Sequence, residues 1–424
     1  MVSPSLKSRQ EGEGPDAMLL ARLLGRTIAT GRLTLIDSSG RTHHFGADDG
    51  RAPVVMRVRD RLTELRLLLD PYAYAGEAYM NGGLTIEQGS LADWLALCYE
   101  NFERHAAGSR FVRARNWLGR ALRPITQHNP IGLARRHVAH HYDLSDALFD
   151  LFLDKDRQYS CAYFASANFN LDQAQDAKKR HIAAKLLLEP GMKVLDIGSG
   201  WGGLALYLAK AANVDVTGVT LSSEQQKVAQ QRAREAGLAE RVRFHLRDYR
   251  DEPGRYDRVV SVGMFEHVGA KHFGEFFRKL RGLLDDNGVA LLHSIGRFDG
   301  PGATNRWMRK FIFPGGYTPA LSEVMAAVER SGLVTTDIEI LRLHYAETLK
   351  AWRRRFDVNR DAVKAMYDER FCRMWEFYLA GSEVAFRHGG QMVFQMQLAR
   401  RQEAVPLVRD YVTDWEREHA FGAA

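Results

Sequence analysis

The chain is poor in cysteine, in proline and in unbroken apolar sequence, and each shortage removes a class of protein. Three cysteines in 424 residues (Cys98, Cys161 and Cys372) stand far apart. They form neither a Cys-x-x-Cys metal pair nor a disulfide framework, so a reducing compartment is expected, the cytoplasm by default. No uncharged apolar run approaches the roughly 20 residues that cross a bilayer, and Met1 to Met18 lacks the apolar centre of a cleaved signal. Any membrane contact is therefore expected to be peripheral. With 12 prolines, 37 glycines and no internal repeat or low-complexity segment, collagen-like and disordered chains are excluded as well.

What remains is ordinary globular composition, 45% hydrophobic and 26% charged, with room for two or three domains. The 59 basic residues exceed the 52 acidic ones by 7, a mild bias toward anionic partners. That excess is local. Arg104 to Arg136 holds eight arginines and no acidic residue, with Phe111 and Trp117 among them, whereas residues 1 to 100 are nearly neutral. The stretch reads either as a solvated linker or as an interfacial segment that sets Trp and Phe into headgroups while Arg meets phosphate.

Patterning divides the chain into residues 1–103, the basic linker 104–136 and residues 137–424. The first part combines a helix over Met18 to Leu24, short alternating segments at Arg32 to Ile36 and Val54 to Val58, and a helix over Ser90 to Phe102. Leu91, Trp94, Leu95 and Cys98 share one face of that last helix, which makes Cys98 a core residue. This part is expected to be a small α+β domain. From Gly191, strands at Lys193–Ile197, Val214–Val219, Val242–Leu246, Tyr256–Val262 and Gly288–Ser294 alternate with helices at Gly203–Ala212, Ser223–Ala236 and Lys271–Leu284. Such alternation predicts an α/β, doubly wound parallel sheet of Rossmann-like form.

The strongest local motif is the strand, turn and helix start Leu195-Asp196-Ile197-Gly198-Ser199-Gly200-Trp201-Gly202-Gly203. Glycines let the backbone turn tightly and approach a ligand, and the following helix offers free N–H groups. A glycine-rich turn alone does not separate dinucleotides from other nucleosides. Two features favour S-adenosylmethionine: Asp196 sits where a carboxylate can hold an amino-acid end, and Thr220-Leu221-Ser222 lacks the acidic residue that a dinucleotide ribose requires.

Five further motifs share one order along the chain with the cofactor loop: His141-Tyr142-Asp143-Leu144-Ser145, Tyr159-Ser160-Cys161-Ala162-Tyr163-Phe164, Gly263-Met264-Phe265-Glu266-His267-Val268-Gly269, Leu292-His293-Ser294-Ile295-Gly296 and His344-Tyr345-Ala346-Glu347-Thr348-Leu349. With them the chain, from about His137 to Arg400, resembles the cyclopropane-fatty-acyl-phospholipid synthases and their relatives, the mycolic acid cyclopropane synthases and methyltransferases. The N-terminal part resembles, more loosely, the lipid-binding extension of the phospholipid enzymes.

The resemblance implies methylene transfer from S-adenosylmethionine to the cis double bond of a phospholipid acyl chain. An alkene is a feeble nucleophile, so positioning in a dry site must supply most of the catalysis. The resulting carbocation has to be stabilised and then deprotonated. The family's base is a bound bicarbonate, carried over here to Cys161, Glu266, His293, the backbone of Ile295, and Tyr345. Cofactor contacts carry over to Tyr159, Ser160, the loop Leu195 to Gly203, Thr220, Leu221, Ser222, Ser223, Glu224 and Gln225, with Asp248 and Tyr249 at the adenine. His140, His141 and His267 receive no chemical task.

One position departs from the pattern: Tyr378-Leu379-Ala380-Gly381-Ser382 has serine where relatives carry a cysteine once favoured as catalytic. A serine hydroxyl cannot replace a thiolate at neutral pH, so the bicarbonate route is preferred and Ser382 is carried only as the aligned residue. No metal is implied. The expected partner is a phospholipid surface at the inner face of the membrane; a homodimer is compatible with this reading. Nucleic acid is not expected, because no Pro-Pro-Tyr base-flipping loop or Pro-Cys nucleophile motif follows the fourth strand. A lipid C-methyltransferase that loses a different proton from the same cation is the alternative enzyme, and a non-catalytic lipid binder is the alternative class.

Overall fold

The computed structural model describes residues 18–108 and 145–419. These fall into two units, residues 18–108 with 369–377, and residues 145–368 with 378–419. The basic segment beyond Gly108, together with His140 and His141, lies outside the described residues.

The first unit is α+β, as its patterning predicts. Helix α1 (Met18–Thr27) precedes strands β1 (Leu33–Ile36), β2 (Thr42–Phe45) and β3 (Val54–Val58), then helices α2 (Arg61–Leu69) and α3 (Pro71–Met80), strand β4 (Leu84–Gln88) and helix α4 (Leu91–Gly108). The sheet order is β2-β1-β3-β4. Strict alternation buries Leu33 and Leu35 of β1 and Val54, Met56 and Val58 of β3 on one face. Trp94 and Cys98 of α4 cover that face, and the indole N–H of Trp94 donates to Met56 Sδ at 3.3 Å. Helix α4 continues past residue 103 to Gly108, so the basic stretch begins inside a helix.

The second unit opens with α5 (Asp146–Phe152) and α6 (Leu171–Leu186) and then alternates: β5 (Lys193–Ile197), α7 (Gly203–Ala212), β6 (Asp215–Thr220), α8 (Ser223–Glu235), β7 (Val242–Leu246), β8 (Tyr256–Val262), α9 (Phe273–Leu283) and β9 (Leu284–Arg297). There follow α10 (Arg306–Phe311), α11 (Leu321–Glu329), β10 (Val334–Ile340), α12 (His344–Val358), α13 (Arg360–Met366), α14 (Glu369–His388), which enters this unit at Tyr378, β11 (Gln391–Ala399) and α15 (Asp410–Glu418). The seven-stranded sheet has the order β10-β11-β9-β8-β5-β6-β7.

All pairings from β9 across to β7 are parallel, as the alternation predicts, but β11 runs antiparallel between β9 and β10. Neither β10 nor β11 is foreseen from patterning. β11 is buried on both faces and so lacks alternation. It also explains why β9 runs on to Arg297 rather than ending at Ser294, since β11 pairs with it from Val289 to Arg297, while the earlier start at Leu284 comes from its pairing with Tyr256 of β8. Helix α9 begins at Phe273 rather than Lys271, because Gly269 at φ +80° starts a separate 3-10 turn over Ala270–His272.

The two faces of the sheet bury separate cores. Leu195, Ile197, Val259 and Leu292 pack with Phe273, Phe276 and Phe277 of α9 on one side. Val194, Val216 and Val260 pack with Ile182 of α6 and Leu204 and Leu208 of α7 on the other. The strand order reverses at β5, whose neighbours β6 and β8 lead in opposite directions, and the carboxyl ends of these strands leave the crevice where open α/β sheets bind ligands.

Close approach of backbone and ring holds this crevice in shape. A Cβ on Gly218 of β6 would lie 2.5 Å from Phe244 Cδ1 and 2.9 Å from Ser199 Cβ, in the cofactor loop. Gly282, exposed on α9, has nothing within 4 Å of the same position. Gly218→Ala should therefore cost about 1–3 kcal/mol through overpacking, whereas Gly282→Ala should stabilise by about 0.5–1 kcal/mol. Denaturant unfolding of the two variants checks the opposite signs.

Candidate active site

The cavity at the switch point is walled by the turn after β5, the end of β6 and the segments that follow β7 and β8. Asp196, Ile197, Gly198, Ser199, Gly200, Trp201 and Gly203 line it from the glycine-rich turn. Thr220, Leu221 and Gln225 close one side, Asp248 and Tyr249 another, and Tyr159 and Ser160 a third. The remaining residues carried over by resemblance lie elsewhere. Leu195 points into the core under α9, and Gly202, at φ +82°, is pressed on Phe244, whose Cζ a Cβ would meet at 2.6 Å. Ser222 caps α8 through the Gln225 N–H, while Ser223 and Glu224 are exposed, with Glu224 paired to Lys227.

The helix that follows the turn is not open to a ligand in the way the motif implies. Asp156 packs its carboxylate against Gly203, where a Cβ would come within 2.4 Å of Oδ2. The same carboxylate is held by Lys179 at 2.7 Å and by Arg232. Asp248 is similarly engaged: Arg250 donates to it through its backbone N at 3.0 Å, Nε at 2.9 Å and Nη2 at 2.7 Å.

Asp196 is different. It is 2% exposed, its Oδ2 has no hydrogen-bond partner, and burial pushes its carboxyl up to about 7 despite the nearby Lys178 ammonium. A buried carboxylate oxygen without a donor, beside a glycine-rich turn, fits the cationic amino-acid end of S-adenosylmethionine. Tyr159 packs edge-on to Phe149 and Phe152 and tilted against Trp352, and its hydroxyl meets that of Tyr378 at 2.8 Å. Trp201 donates its indole N–H to Asp146 and packs on Phe149.

A second buried carboxylate stands next to this cavity. Glu266 lies in the 3-10 turn Phe265–His267 after β8, between Gly263 and Met264 on one side and His267 and Val268 on the other, all four lining the cavity. Its Oε1 accepts the Ile295 N–H at 2.6 Å, while Oε2 is buried and unpartnered. Burial raises this carboxyl to about 7, against the hydrogen bonds from Ile295 and Ser294. The Ile295 backbone donor is thus spent on Glu266 rather than left open.

Cys161 is 1% exposed, with its thiol pushed up by burial, so it is a neutral S–H group and not a nucleophile. The chain beside it is tied to α12, the helix of Tyr345, because Ala162 N donates to Thr348 Oγ1 at 3.0 Å. Tyr345 is buried against Trp352 and Phe386. His293, on β9, is buried beneath Gln395 and held well below the ordinary imidazole range, by burial first and by the nearby lysines next. Ser382 sits half-buried on α14 and is not part of the cavity wall.

Three functional candidates escape sequence reasoning. His267, which patterning leaves without a task, lines the cavity. Gln158 and Lys178 are the others: the Lys178 ammonium, wholly buried on α6, donates to Gln158 Oε1 at 2.7 Å and to Ser160 Oγ at 2.8 Å, and burial lowers it to about 8. Lys178 is a donor only, so the Ser160 hydroxyl accepts from it and directs its own proton elsewhere. The signal was there: Gln175, Lys178, Ile182 and Lys185 fall on one face of α6, so polar groups share a stripe with a core residue.

Comparison with known proteins agrees with this geometry. Residues 132–396 match the mycolic acid cyclopropane synthetase family. The chain is 37% identical over 404 residues to the tuberculostearic acid methyltransferase UfaA1 of Mycobacterium tuberculosis, covering 91% of this chain and 92% of that protein. It is 43% identical over 263 residues to the cyclopropane-fatty-acyl-phospholipid synthase of Escherichia coli, covering 62% of this chain and 67% of that enzyme. The mycolic acid cyclopropane synthase CmaA1 complexed with SAH and CTAB superposes with a TM-score of 0.60 at 33% identity, over 64% of this chain and 99% of that one. The chain therefore belongs to the mycolic acid cyclopropane synthetase family of S-adenosylmethionine-dependent methyltransferases.

Proposed function

We propose that this protein is a cyclopropane-fatty-acyl-phospholipid synthase, adding a methylene group across the cis double bond of an unsaturated phospholipid acyl chain. The observation that carries the reading is Glu266: a buried carboxylate with one unpartnered oxygen, at the carboxyl edge of β8 and flanked by residues that wall the cofactor cavity. The Ile295 N–H meets one oxygen only, and nothing among the described residues uses the other. Such a group serves a reaction that passes through positive charge and needs a proton moved.

Asp196, Tyr159, Ser160 and Gln225 would hold S-adenosylmethionine, which would supply the methyl group. Bicarbonate, held by Cys161, Glu266, His293 and Tyr345, would supply the base. Around them this chain's own residues exclude water and steady charge. Tyr159, Trp352, Tyr345 and Phe386 form a continuous run of rings whose faces favour a cation. Glu266, near neutrality in its ionisation, can donate to an anion when protonated and offset a cation when not. The Ile295 N–H fixes which oxygen faces the site.

Among the described residues no helix is long and apolar enough to span a membrane. We place the enzyme at the inner membrane face, with the substrate chain drawn partly out of the bilayer. A second reading, a lipid C-methyltransferase giving a methyl- or methylene-branched chain, is favoured by the relative that matches 91% of this chain. The two share methyl transfer and differ in the proton lost.

Gas chromatography with mass spectrometry of lipids from a host that makes only straight and cis-unsaturated chains separates the two. Cyclopropane chains are expected; a branched chain selects the second reading, and an unchanged profile with soluble protein present sinks both. Glu266→Gln should nearly abolish product and leave cofactor affinity close to wild type. The same variant has a stability signature. Because folding raises this carboxyl from 4.5 to about 7, wild-type stability is complete below 4.5 and falls as pH rises through 7. That loss amounts to roughly 3 kcal/mol. Calorimetry should find Glu266→Gln gaining in Tm over wild type as pH climbs from about 5 to 8.

Asp196 gives an independent check. Its carboxyl ionises near 7, so wild-type affinity for S-adenosylmethionine should tighten as pH rises across neutrality. Asp196→Asn should bind on the order of 10–100-fold more weakly at high pH, with a flat profile by isothermal titration calorimetry.

A further inference from the structure

His293 is one member of a buried chain that begins on α6. Lys185 Nζ donates to Gln395 Oε1 at 2.8 Å, and the Gln395 amide nitrogen meets His293 Nδ1 at 3.2 Å. Gln395 and His293 are register partners on the antiparallel strands β11 and β9, so their side chains leave the sheet on the same face. All three residues are at most 3% exposed. Lys185 is anchored in turn by Glu339 of β10, which also accepts from His181 Nε2 at 2.7 Å, and Glu416 of α15 holds His181 Nδ1 at 2.8 Å.

The direction of this chain is set at its lysine end. An ammonium has three donors and no acceptor, so the Gln395 group facing Lys185 must be the carbonyl oxygen. The amide NH2 is then turned to His293, and it can only donate. Nδ1 of His293 must therefore carry a lone pair. Turning the amide over would set NH2 against ammonium and leave two donors facing each other in a dry site. The imidazole is also neutral, held so by burial and by the cationic groups around it. A neutral ring with a bare Nδ1 keeps its one proton on Nε2.

We propose that Lys185 and Gln395 are positioning residues, which lock His293 as an Nε2–H donor aimed at an anion of the carbonate type in the active site. The assignment rests on the function proposed above for its use, though not for its geometry. A donor held in this way cannot itself accept the product proton, so His293 steadies an oxyanion and does not act as the base.

The tautomer is measurable without turnover. In full-length protein labelled with 15N-histidine, two-bond 1H–15N correlation distinguishes a ring protonated at Nε2 from one protonated at Nδ1, and the His293→Ala spectrum assigns the signals. Wild type is expected to show Nε2–H with a bare Nδ1. Gln395→Glu puts a carboxylate between Lys185 and His293, so the proton should move to Nδ1. Product formation should then fall on the order of 10²-fold in kcat, with affinity for S-adenosylmethionine changed by less than about twofold. A wild-type ring protonated at Nδ1, or full turnover in Gln395→Glu, overturns the proposal. Full turnover in His293→Ala instead overturns the assignment of the active site, and the spectra separate that failure from one of the tautomer.

Discussion

Everything at the carboxyl edge of the large sheet depends on charge kept out of water. Asp196 and Glu266 each bury an oxygen without a partner, and both are held near neutrality in their ionisation by that burial. Lys178 and Lys185 are buried on one helix, each donating to a neutral side chain, Ser160 and Gln395. An unpaired buried charge costs several kcal/mol, which no structural role recovers. Under the proposed function, what the cavity binds offsets that cost.

Helix α6 is the element that makes this arrangement possible. It is anchored at its start by a reciprocal capping box between Asn170 and Gln173, and twelve of its sixteen positions are buried. Lys178 and Lys185 are seven residues apart, two turns along one face, so a single helix serves both the Ser160 segment and the His293 strand pair. Lys178 reaches the segment that carries Tyr159, Ser160 and Cys161, and Lys185 reaches the strand pair of His293 and Gln395. A rigid rod of this kind sets the spacing between the Ser160 segment and the His293–Gln395 pair more firmly than loops would.

The parallel part of the fold was legible because helix and strand periods alternate cleanly from Lys193 to Ser294. Strands β10 and β11 were not, since β11 is buried on both faces and shows no period, and β10 is half-buried throughout. Candidate residues on the glycine-rich turn were readable from its spacing, and those of the carbonate site only through family resemblance. Motif transfer overreached where a whole segment was carried over: Ser222 caps a helix, Ser223 and Glu224 are exposed, and Leu195 is core. It fell short at Lys178, Lys185 and Gln395, because a buried lysine is indistinguishable from a solvated one until its neighbours in space are known.

Asp156 adds a criterion for choosing among nucleosides. Its carboxylate rests on Gly203 at the first turn of α7, secured by Lys179 and Arg232. In dinucleotide enzymes that same helix end receives a pyrophosphate. Here the space beside Gly203 is already filled by a side-chain carboxylate whose charge Lys179 and Arg232 balance, so the obstacle to a diphosphate is one of room and not of charge. The glycine-rich turn, ambiguous as a motif, is thus followed by a helix start that the chain's own side chain occupies, which leaves a diphosphate less room than the motif alone promises.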